Sequence, residues 1–324
     1  MKGIRWVIAG IVLVALIVAG LMVGSVGLTF DEVLAVLTGK GSPLHELIVL
    51  HTRLPRTLTA VSAGGILALC GLLMQTYFHN PLAGPSVLGI TSGASLGVAM
   101  AILAGIGVAA VPAAIVGSMM VLVLVLMVAS RLKGPVSLLI FGLMLGYLTS
   151  SVVTVLQQTA SKEALKAFIF WGMGSFSGTD LRTSSALCIA LALFGILVFS
   201  RRKQLDIWLL GSETARTMGV SASRFTLFIL LITGFGAGVV TAFAGPIAFL
   251  GLAVPHVARG VWQEGSHKAL IPAVISIGMI IGLGCDLITR APWLEAELPL
   301  NAVTSLVGAP VVIYIILKGR RVFG

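Results

Sequence analysis

The sequence predicts an all-α polytopic membrane protein with about ten transmembrane helices, on the basis of its composition, its long uncharged runs and its charge distribution. The chain has 324 residues, of which 58% are hydrophobic and only 10% are charged. Soluble domains carry about 25% charged residues, because they must present a hydrated surface. The 74 residues between Arg56 and Arg131 include no Asp, Glu, Lys or Arg. Since one helical crossing needs about 20 apolar residues, this run alone has room for about three crossings.

The individual spans are predicted to be helices, because a helix satisfies its own backbone hydrogen bonds where lipid offers no partner. A transmembrane barrel would show alternating polarity in segments of about 10 residues, and the sequence has no such pattern. Division of the apolar runs at glycine, proline and charged clusters predicts ten spans. These spans cover residues 6–28, 57–78, 88–105, 112–130, 136–158, 184–200, 225–244, 246–262, 269–287 and 299–317.

Two boundaries and the domain count need separate reasons. The stretch 6–28 follows two basic residues, as a signal peptide does, but it exceeds the about 7–15 apolar residues of such a segment and no small-residue cleavage site follows it. It is therefore predicted to be a retained span. The uncharged run 225–258 is too long for one crossing and is divided at Gly245 and Pro246. No linker or low-complexity segment interrupts the chain, so residues 1–324 are predicted to form a single transmembrane domain.

The charge distribution predicts the orientation. With the amino terminus in the cytoplasm, ten spans leave 14 basic and three acidic residues on the cytoplasmic side, against seven basic and eight acidic residues outside. Cytoplasmic loops favour Lys and Arg, so both termini are predicted to be cytoplasmic. The basic residues are scattered over loops without interleaved aromatic residues, which argues against nucleic acid binding.

Motifs for catalysis or metal binding are incomplete. His45 and Glu46 begin a zincin motif, but position 49 is Val, so the second metal ligand is missing. The serines in 174–178 lack the spacing of a nucleophile elbow. The segment 39–41 lacks the upstream glycine and the hydroxyl of a phosphate-binding loop. No catalytic residue, metal site or cofactor is therefore predicted in this chain.

An arginine pair stands on the predicted outer surface, against the usual preference for basic residues inside. Arg53 and Arg56 are three residues apart, with Pro55 suited to the first turn of a helix, so they are expected to share one exposed face. One interpretation is that their side chains only extend to the membrane interface. The other is a site for carboxylates, which guanidinium groups bind in a bidentate manner.

Two cytoplasmic segments also stand out. The turn 79–85 contains two prolines and a glycine, and it ends the second span sharply. The segment 206–224 is the longest cytoplasmic loop and mixes apolar with charged residues. A short amphipathic helix in this loop could lie on lipid headgroups or fill a groove in a soluble partner.

The same residues resemble the FecCD family of permeases, the membrane subunits of ABC importers for siderophores, haem and vitamin B12. The matching motifs follow one another in order along nearly the whole chain. They are Arg53–Arg56, Gly71 with Gln75, Asn80–Ala83 with Pro85, Leu88-Gly89, Gly93-Ala94, Trp171 with Gly174-Ser175, Leu210-Gly211 with Ala215 and Gly219, Gly245 with Ile247, Phe249 and Gly251-Leu252, Pro255-His256 with Arg259, Asp286 with Arg290, and Gly308 with Pro310. The chain departs from the family at His79, where Arg is frequent, and at Gly84, where an acidic residue is frequent.

This resemblance implies a type II ABC importer permease fold that works as a homodimer by alternating access. Two cytoplasmic ATPase subunits, which would hold ATP and Mg²⁺, and an external substrate-binding protein would complete the importer. Docking of the binding protein is implied for Arg53, Arg56 and Arg290. A cytoplasmic gate is implied for Asn80, Pro81 and Leu82, with the polar break Thr149, Ser150 and Ser151 of the fifth span. Coupling to the ATPase is implied for Leu210, Gly211, Glu213, Ala215, Arg216 and Gly219.

The alternative function is a secondary transporter driven by an ion gradient. Such transporters bury ionisable residues near the middle of the membrane, whereas here only Asp286 and Arg290 come near a span, and both lie at its outer end. The residues do not distinguish a ferric siderophore from haem, cobalamin or another oxyanion or metal complex as the substrate.

Overall fold

The backbone is helical throughout the part of the chain that the structure describes. The computed structural model describes residues 2–132, 134–263, 265–292, 294 and 296–318, and these form fifteen α-helices and no strand. Ten helices correspond to the predicted spans: α1 (Lys2–Met22), α4 (Leu54–Phe78), α5 (Ile90–Ile102), α6 (Ala110–Ala129), α7 (Pro135–Thr159), α9 (Leu181–Ser200), α12 (Ala222–Ala244), α13 (Leu250–Trp262), α14 (His267–Thr289) and α15 (Leu300–Lys318). The other five are α2 (Phe30–Leu37), α3 (Pro43–Ile48), α8 (Lys162–Gly172), α10 (Arg202–Trp208) and α11 (Ser212–Thr217).

Among the described residues, seven helical segments are long and apolar enough to cross a membrane. The other three predicted spans are shorter: the described apolar part of α15 is Leu300–Tyr314, and α5 and α13 have only 13 residues each. At about 1.5 Å per residue, such a helix covers about 20 Å of a hydrocarbon core that is about 30 Å thick. Irregular backbone completes both crossings, with a 3₁₀ turn at Pro85–Leu88 before α5 and the segment 245–249 before α13.

The start of the second span differs from the prediction. Pro55 lies in the first turn of α4, as expected, but α4 follows α3 and a π-helical turn without a break, so the helical segment runs from Pro43 to Phe78. Proline lacks an N–H and its ring crowds the carbonyl four residues earlier. The π-helical turn Val49–Arg53 lies directly before it and widens the helix at that point. Arg53 and Arg56 therefore belong to the middle of a long helix.

Helix α4 occupies the centre of the molecule, and nearly all its residues are buried. Glycines permit its close contacts with neighbouring helices, as is usual in membrane proteins. A Cβ atom on Gly64 would overlap the backbone of Gly278 in α14, and one on Gly71 would overlap the backbone of Gly251 in α13. In contrast, α1, α6, α9 and α15 expose large apolar side chains, which is the surface expected of helices in contact with lipid.

Helices α2 and α3 form a separate layer at the outer end of α1. Thr29 caps α2, and its backbone N–H and hydroxyl donate to the carboxylate of Glu32. These hydrogen bonds hold the pKa of Glu32 below its usual value. One face of α2 packs through Val33 and Val36 against the end of α1. Neither these helices nor α8 were anticipated from the sequence, because their apolar runs are too short for a span.

Candidate functional site

The turn after α4 is built by a left-handed residue and an asparagine. His79 ends the helix with a positive φ of 49°, and its Nε2–H donates to the carbonyl of Trp208 over 2.8 Å. The side-chain oxygen of Asn80 accepts from the backbone N–H of Leu82 at 2.9 Å. This local hydrogen bond explains why asparagine suits the position. Leu82 extends from the tip of the turn and is 49% exposed.

The turn is attached to α13, so two of the matched motifs meet in space. The Nε2–H of His256 donates to the carbonyl of Pro81 over 2.7 Å. One turn further along α13, Arg259 donates to the side-chain oxygen of Gln75 over 2.6 Å. The amide nitrogen of Gln75 in turn donates to Leu252. The inner end of α4 and the turn are thus held by neutral groups and a single guanidinium.

A cavity of about 210 Å³ lies beside this turn. Its walls come from the two irregular segments that complete the short spans, Pro85–Leu88 and 245–249, together with Leu82. Phe249 holds a positive φ of 67°, which is uncommon for an aromatic residue. Irregular backbone at membrane depth is tolerated where it is buried in protein or borders a cavity. The paired irregular segments therefore make this region the candidate functional site of the membrane domain.

The polar residues of the fifth span lie along α7 beyond its contact with the 3₁₀ turn. In α7, Thr149 is buried, whereas Ser150 and Ser151 are exposed. Helix α7 approaches the 3₁₀ turn through Gly142, where a Cβ atom would come within 2.9 Å of Leu88. Thr149 follows Gly142 by seven residues, or about 10 Å along the helix axis. The polar break therefore lies about two helical turns from the point where α7 meets the 3₁₀ turn.

Two short helices lie in the region of the predicted coupling segment. Helix α11 is largely exposed, whereas α10 is packed against the rest of the fold. Gly211 and Gly219, with φ values of 100° and 86°, bracket only α11. The second short helix of this region, α10, precedes Gly211. Ala215 is buried and Leu210 is exposed. The side chains of Glu213 and Arg216 are 93% and 63% exposed.

At the outer end, Arg53 is buried against the end of α1. Its guanidinium donates to the carbonyls of Leu21 at 2.8 Å and Met22 at 2.7 Å, and also to the carbonyl of Val26. These carbonyls include the last ones of α1, which have no partner within the helix. Gly24 leaves room for the guanidinium, because a Cβ atom there would lie 2.9 Å from its Nη2.

Arg56 and Arg290 share one buried carboxylate. Asp286 accepts from Nε of Arg56 at 2.8 Å and lies 2.9 Å from Nη2 of Arg290. Arg56 also binds Glu297 at 2.6 Å, and Arg290 donates to the carbonyl of Val23 at 3.1 Å. Arg53, Arg56 and Arg290 are all buried, which corrects the expectation that the outer arginines share an exposed face. The reason is that their partners lie on α1, on α14 and in the loop before α15, far away in the sequence.

Among the described residues, no group of three His, Cys, Asp or Glu side chains could hold a metal ion. The three cysteines are free thiols. A hydrogen-bonded chain from Asp206 through His267 to Thr76 was not anticipated. Its members are 61 and 191 residues apart, so no local spacing in the sequence could have indicated it.

The fold and the interrupted spans define the class of the protein: a polytopic membrane permease, with α4 at its centre and a cavity near one end. A model of the FecCD transport family matches residues 12–318, and the chain therefore belongs to that family. The chain is a permease of the ABC importer type. The predicted family and the predicted all-helical permease fold are both confirmed.

Individual relatives cover most of the chain. The vitamin B12 import system permease protein BtuC of Citrobacter koseri is 36% identical over 282 residues, which is 85% of this chain and 84% of the relative. The BtuC protein of Klebsiella pneumoniae is 36% identical over 281 residues, with the same coverage.

Solved structures agree with this assignment. A structure described as an inward-facing conformation of a metal-chelate type ABC transporter has a TM-score of 0.87 and 27% identity, and the match covers 98% of this chain and 100% of the other. PsaBC from Streptococcus pneumoniae has a TM-score of 0.59 at 14% identity, and the match covers 85% of this chain and 98% of the other. At that identity, the second match supports the fold alone.

Proposed function

We propose that this chain is the membrane-spanning subunit of an ATP-driven importer of a bulky chelate, and that it works as a homodimer by alternating access. The observation that carries the proposal is the pair of interrupted spans, α5 and α13, whose irregular ends meet at a cavity beside the exposed Leu82. Interrupted helices in transporters supply the binding and gating regions at the contact between moving parts. Asn80, Pro81 and Leu82 are accordingly proposed as part of the cytoplasmic gate.

A second copy is proposed to cover the polar face of α7. Ser150, Ser151 and Thr154 are exposed in a single chain, although they lie in a segment that is apolar enough to cross a membrane. Hydroxyl groups gain nothing from contact with hydrocarbon. In a homodimer with a hydrated path between the two copies, water in that path would contact the exposed hydroxyl groups of α7. Thr149, which is buried behind them, would belong to the wall of the path.

The ATPase partner is proposed to bind the exposed coupling helix α11 at the cytoplasmic end, through Leu210, Glu213 and Arg216. ATP and Mg²⁺ would be held by two such ATPase subunits and not by this chain. Both termini are placed in the cytoplasm in this proposal, because the charge distribution favours that orientation.

Docking of a binding protein on Arg53, Arg56 and Arg290 stays a prediction, and the structure supports only a narrower form of it. The guanidinium groups of Arg53 and Arg290 already donate to backbone carbonyls. A binding protein could reach these two guanidinium groups only if the fold opened. Arg56 differs, because its partner Glu297 has a side chain that is 55% exposed. A carboxylate of the binding protein could therefore replace Glu297 at Arg56.

Cobalamin is the first substrate to test, since the relatives named above are described as vitamin B12 permeases. Ferric siderophores and haem are the other members of the proposed class. The experiment is uptake into proteoliposomes that contain the chain together with its proposed ATPase and binding protein. We expect uptake of one of these chelates to require ATP and to survive a protonophore. Uptake that a protonophore abolishes and that proceeds without ATP would instead establish a transporter driven by an ion gradient.

A further inference from the structure

The short helix α10 is fastened to the inner end of α4 at two points, which is unusual for a segment of a cytoplasmic loop. The first point is Asp206. Its carboxylate accepts the backbone N–H of His267 at 2.9 Å and lies 2.7 Å from Nδ1 of the same residue. The other ring nitrogen of His267 lies 3.0 Å from the hydroxyl of Thr76 in α4. With Nδ1–H donating to the carboxylate, a neutral ring accepts the hydroxyl hydrogen of Thr76 at Nε2.

The second point is Trp208, whose ring is buried between two aromatic rings. Its centroid lies 5.7 Å from that of Tyr77 and 4.5 Å from that of Phe225, with small interplanar angles. The indole N–H donates to the carbonyl of Tyr77 at 3.2 Å. The backbone carbonyl of Trp208 accepts from His79. The departure from the family pattern at position 79 thus places an imidazole N–H donor in contact with α10.

Three of these contacts end on Thr76, Tyr77 and His79, at the carboxyl end of α4 and directly before the gate turn Asn80–Leu82, and the others join α10 to α14 and α12. We name the set Asp206, Trp208, His267, Thr76, Tyr77 and His79 the inner clamp. Because Thr76, Tyr77 and His79 are close neighbours in one chain segment, α10 cannot move relative to that segment without breaking several hydrogen bonds. The segment continues immediately into Asn80–Leu82. A displacement of α10 is therefore transmitted to the gate turn.

Helix α11 has the opposite character. Gly211 with its positive φ separates it from α10, and its charged side chains are largely exposed. A cavity of about 460 Å³ lies between α11, Trp208 of α10 and the ends of α4, α6, α7 and α12. Room behind an exposed helix allows it to shift, whereas the hydrogen bonds of Asp206 and Trp208 hold α10 to its neighbours.

We propose that the inner clamp is the mechanical link of the importer. Helix α11 receives the motion of the ATPase, and α10 carries that motion through Asp206–His267–Thr76 and Trp208 to the end of α4 and the gate turn. Thr76, His79, Asp206, Trp208 and His267 are then positioning residues for transport. This inference rests on the proposed function, since it needs an ATPase and a gate.

The test is the number of ATP molecules hydrolysed per molecule imported, measured on the assembled importer in proteoliposomes. Thr76→Val removes one hydroxyl with little change of shape and interrupts the first point of the clamp. We expect the ratio to rise about threefold or more, which is the effect of one hydrogen bond of ordinary net strength. Trp208→Leu removes the stacking as well and is expected to raise the ratio further. Thr76→Ser retains the hydroxyl and is expected to restore the ratio of the unmodified protein.

Thr59→Val is the matched control. Thr59 is likewise a buried threonine on α4, and its hydroxyl lies 2.7 Å from that of Thr179, outside the inner clamp. We expect its ratio to equal that of the unmodified protein. The proposal is overturned if Thr76→Val and Thr59→Val give equal ratios. Should Trp208→Leu fail to assemble, the comparison at Thr76 still decides. Failure of the proposed function would show differently, as an unmodified complex that imports nothing with ATP.

Discussion

The two ends of α4 are held by different chemistry. At the outer end, Arg56 and Arg290 share the buried carboxylate of Asp286. At the inner end, His79 and His256 donate to backbone carbonyls. Removing one partner of a buried ion pair costs about 3–5 kcal/mol, whereas a neutral hydrogen bond contributes about 0.5–1.5 kcal/mol net. The outer end is therefore the rigid anchor of the helix, whereas the inner end is held by several contacts, of which the two histidine bonds are individually weaker.

The largest effect is expected where the anchor loses its charge. Asp286→Leu leaves two buried guanidinium groups without their shared carboxylate, and we expect it to lower the free energy of unfolding by about 3–5 kcal/mol. The measurement is the midpoint of thermal unfolding in detergent. Asp31→Leu, at an exposed position on α2, is the control and should unfold near the temperature of the unmodified protein. Equal midpoints for the two variants would mean that the outer end is not an anchor.

A smaller effect is expected at Gly219, which follows the exposed helix α11. Gly219 has a φ of 86°, and a Cβ atom there would meet no other atom within 4 Å, so Gly219→Val introduces backbone strain without a clash. Strain of this kind costs of the order of 1–3 kcal/mol. We expect a re-oriented α11 and a lower yield of ATPase co-purified with the permease, with membrane insertion unchanged. Ser221→Val, two residues further on with a φ of −70°, should co-purify normally. Stoichiometric, active Gly219→Val complexes would contradict a role for this glycine in coupling.

We expect the gate turn to make different contacts in different nucleotide states. A substitution at Leu82 should have little effect on the stability of the protein, because Leu82 is half exposed. In a background without the three native cysteines, Leu82→Cys should cross-link between protomers in at least one nucleotide state. Leu44→Cys, exposed on α3 at the other end of the fold, should react with a soluble thiol reagent but should not cross-link. A Leu82→Cys protein that reacts with the reagent and never cross-links would place the turn away from the dimer axis.

The smallest effect is expected at Glu297, the exposed partner within the anchor. Glu297→Gln should change the free energy of unfolding by only about 0–1 kcal/mol, because solvent screens the pair. It leaves Arg56 less neutralised, so a carboxylate of the binding protein should bind there more tightly, by at most about fivefold. Binding-protein affinity at two salt concentrations is the measurement. Equal affinity and equal salt dependence in both proteins would exclude Arg56 as a docking point.

The sequence was sufficient for much of the fold, and its failures were local. The ten predicted spans correspond to ten helices, because apolar run length and the absence of charge are properties of single segments. The π-helical turn before Pro55 and the helices α2, α3 and α8 were not foreseen. Short helices outside a span depend on the packing of neighbouring segments, to which a window of sequence is insensitive.

For the candidate site, the motifs were visible in the sequence and their contacts were not. Asn80–Leu82 and Pro255–Arg259 were recognised separately, but only the tertiary structure joined them through His256 and Pro81. The exposure expected for Arg53 and Arg56 was wrong for the same reason. An isolated pattern indicates that a guanidinium needs partners, yet it does not indicate that carbonyls of α1 and the carboxylate of Asp286 will supply them.

The sequence by itself determined the class of protein, the number of spans and the segments that carry chemistry. Composition and apolar run length are properties of each segment independently of the others. A segment that crosses lipid must satisfy its own backbone hydrogen bonds, which a helix does. Only the tertiary structure decided which polar groups are buried in contacts that stabilise the fold and which remain exposed. That division depends on contacts between residues far apart in the chain, such as Arg56 with Asp286 and His267 with Thr76, which form only after the helices have packed.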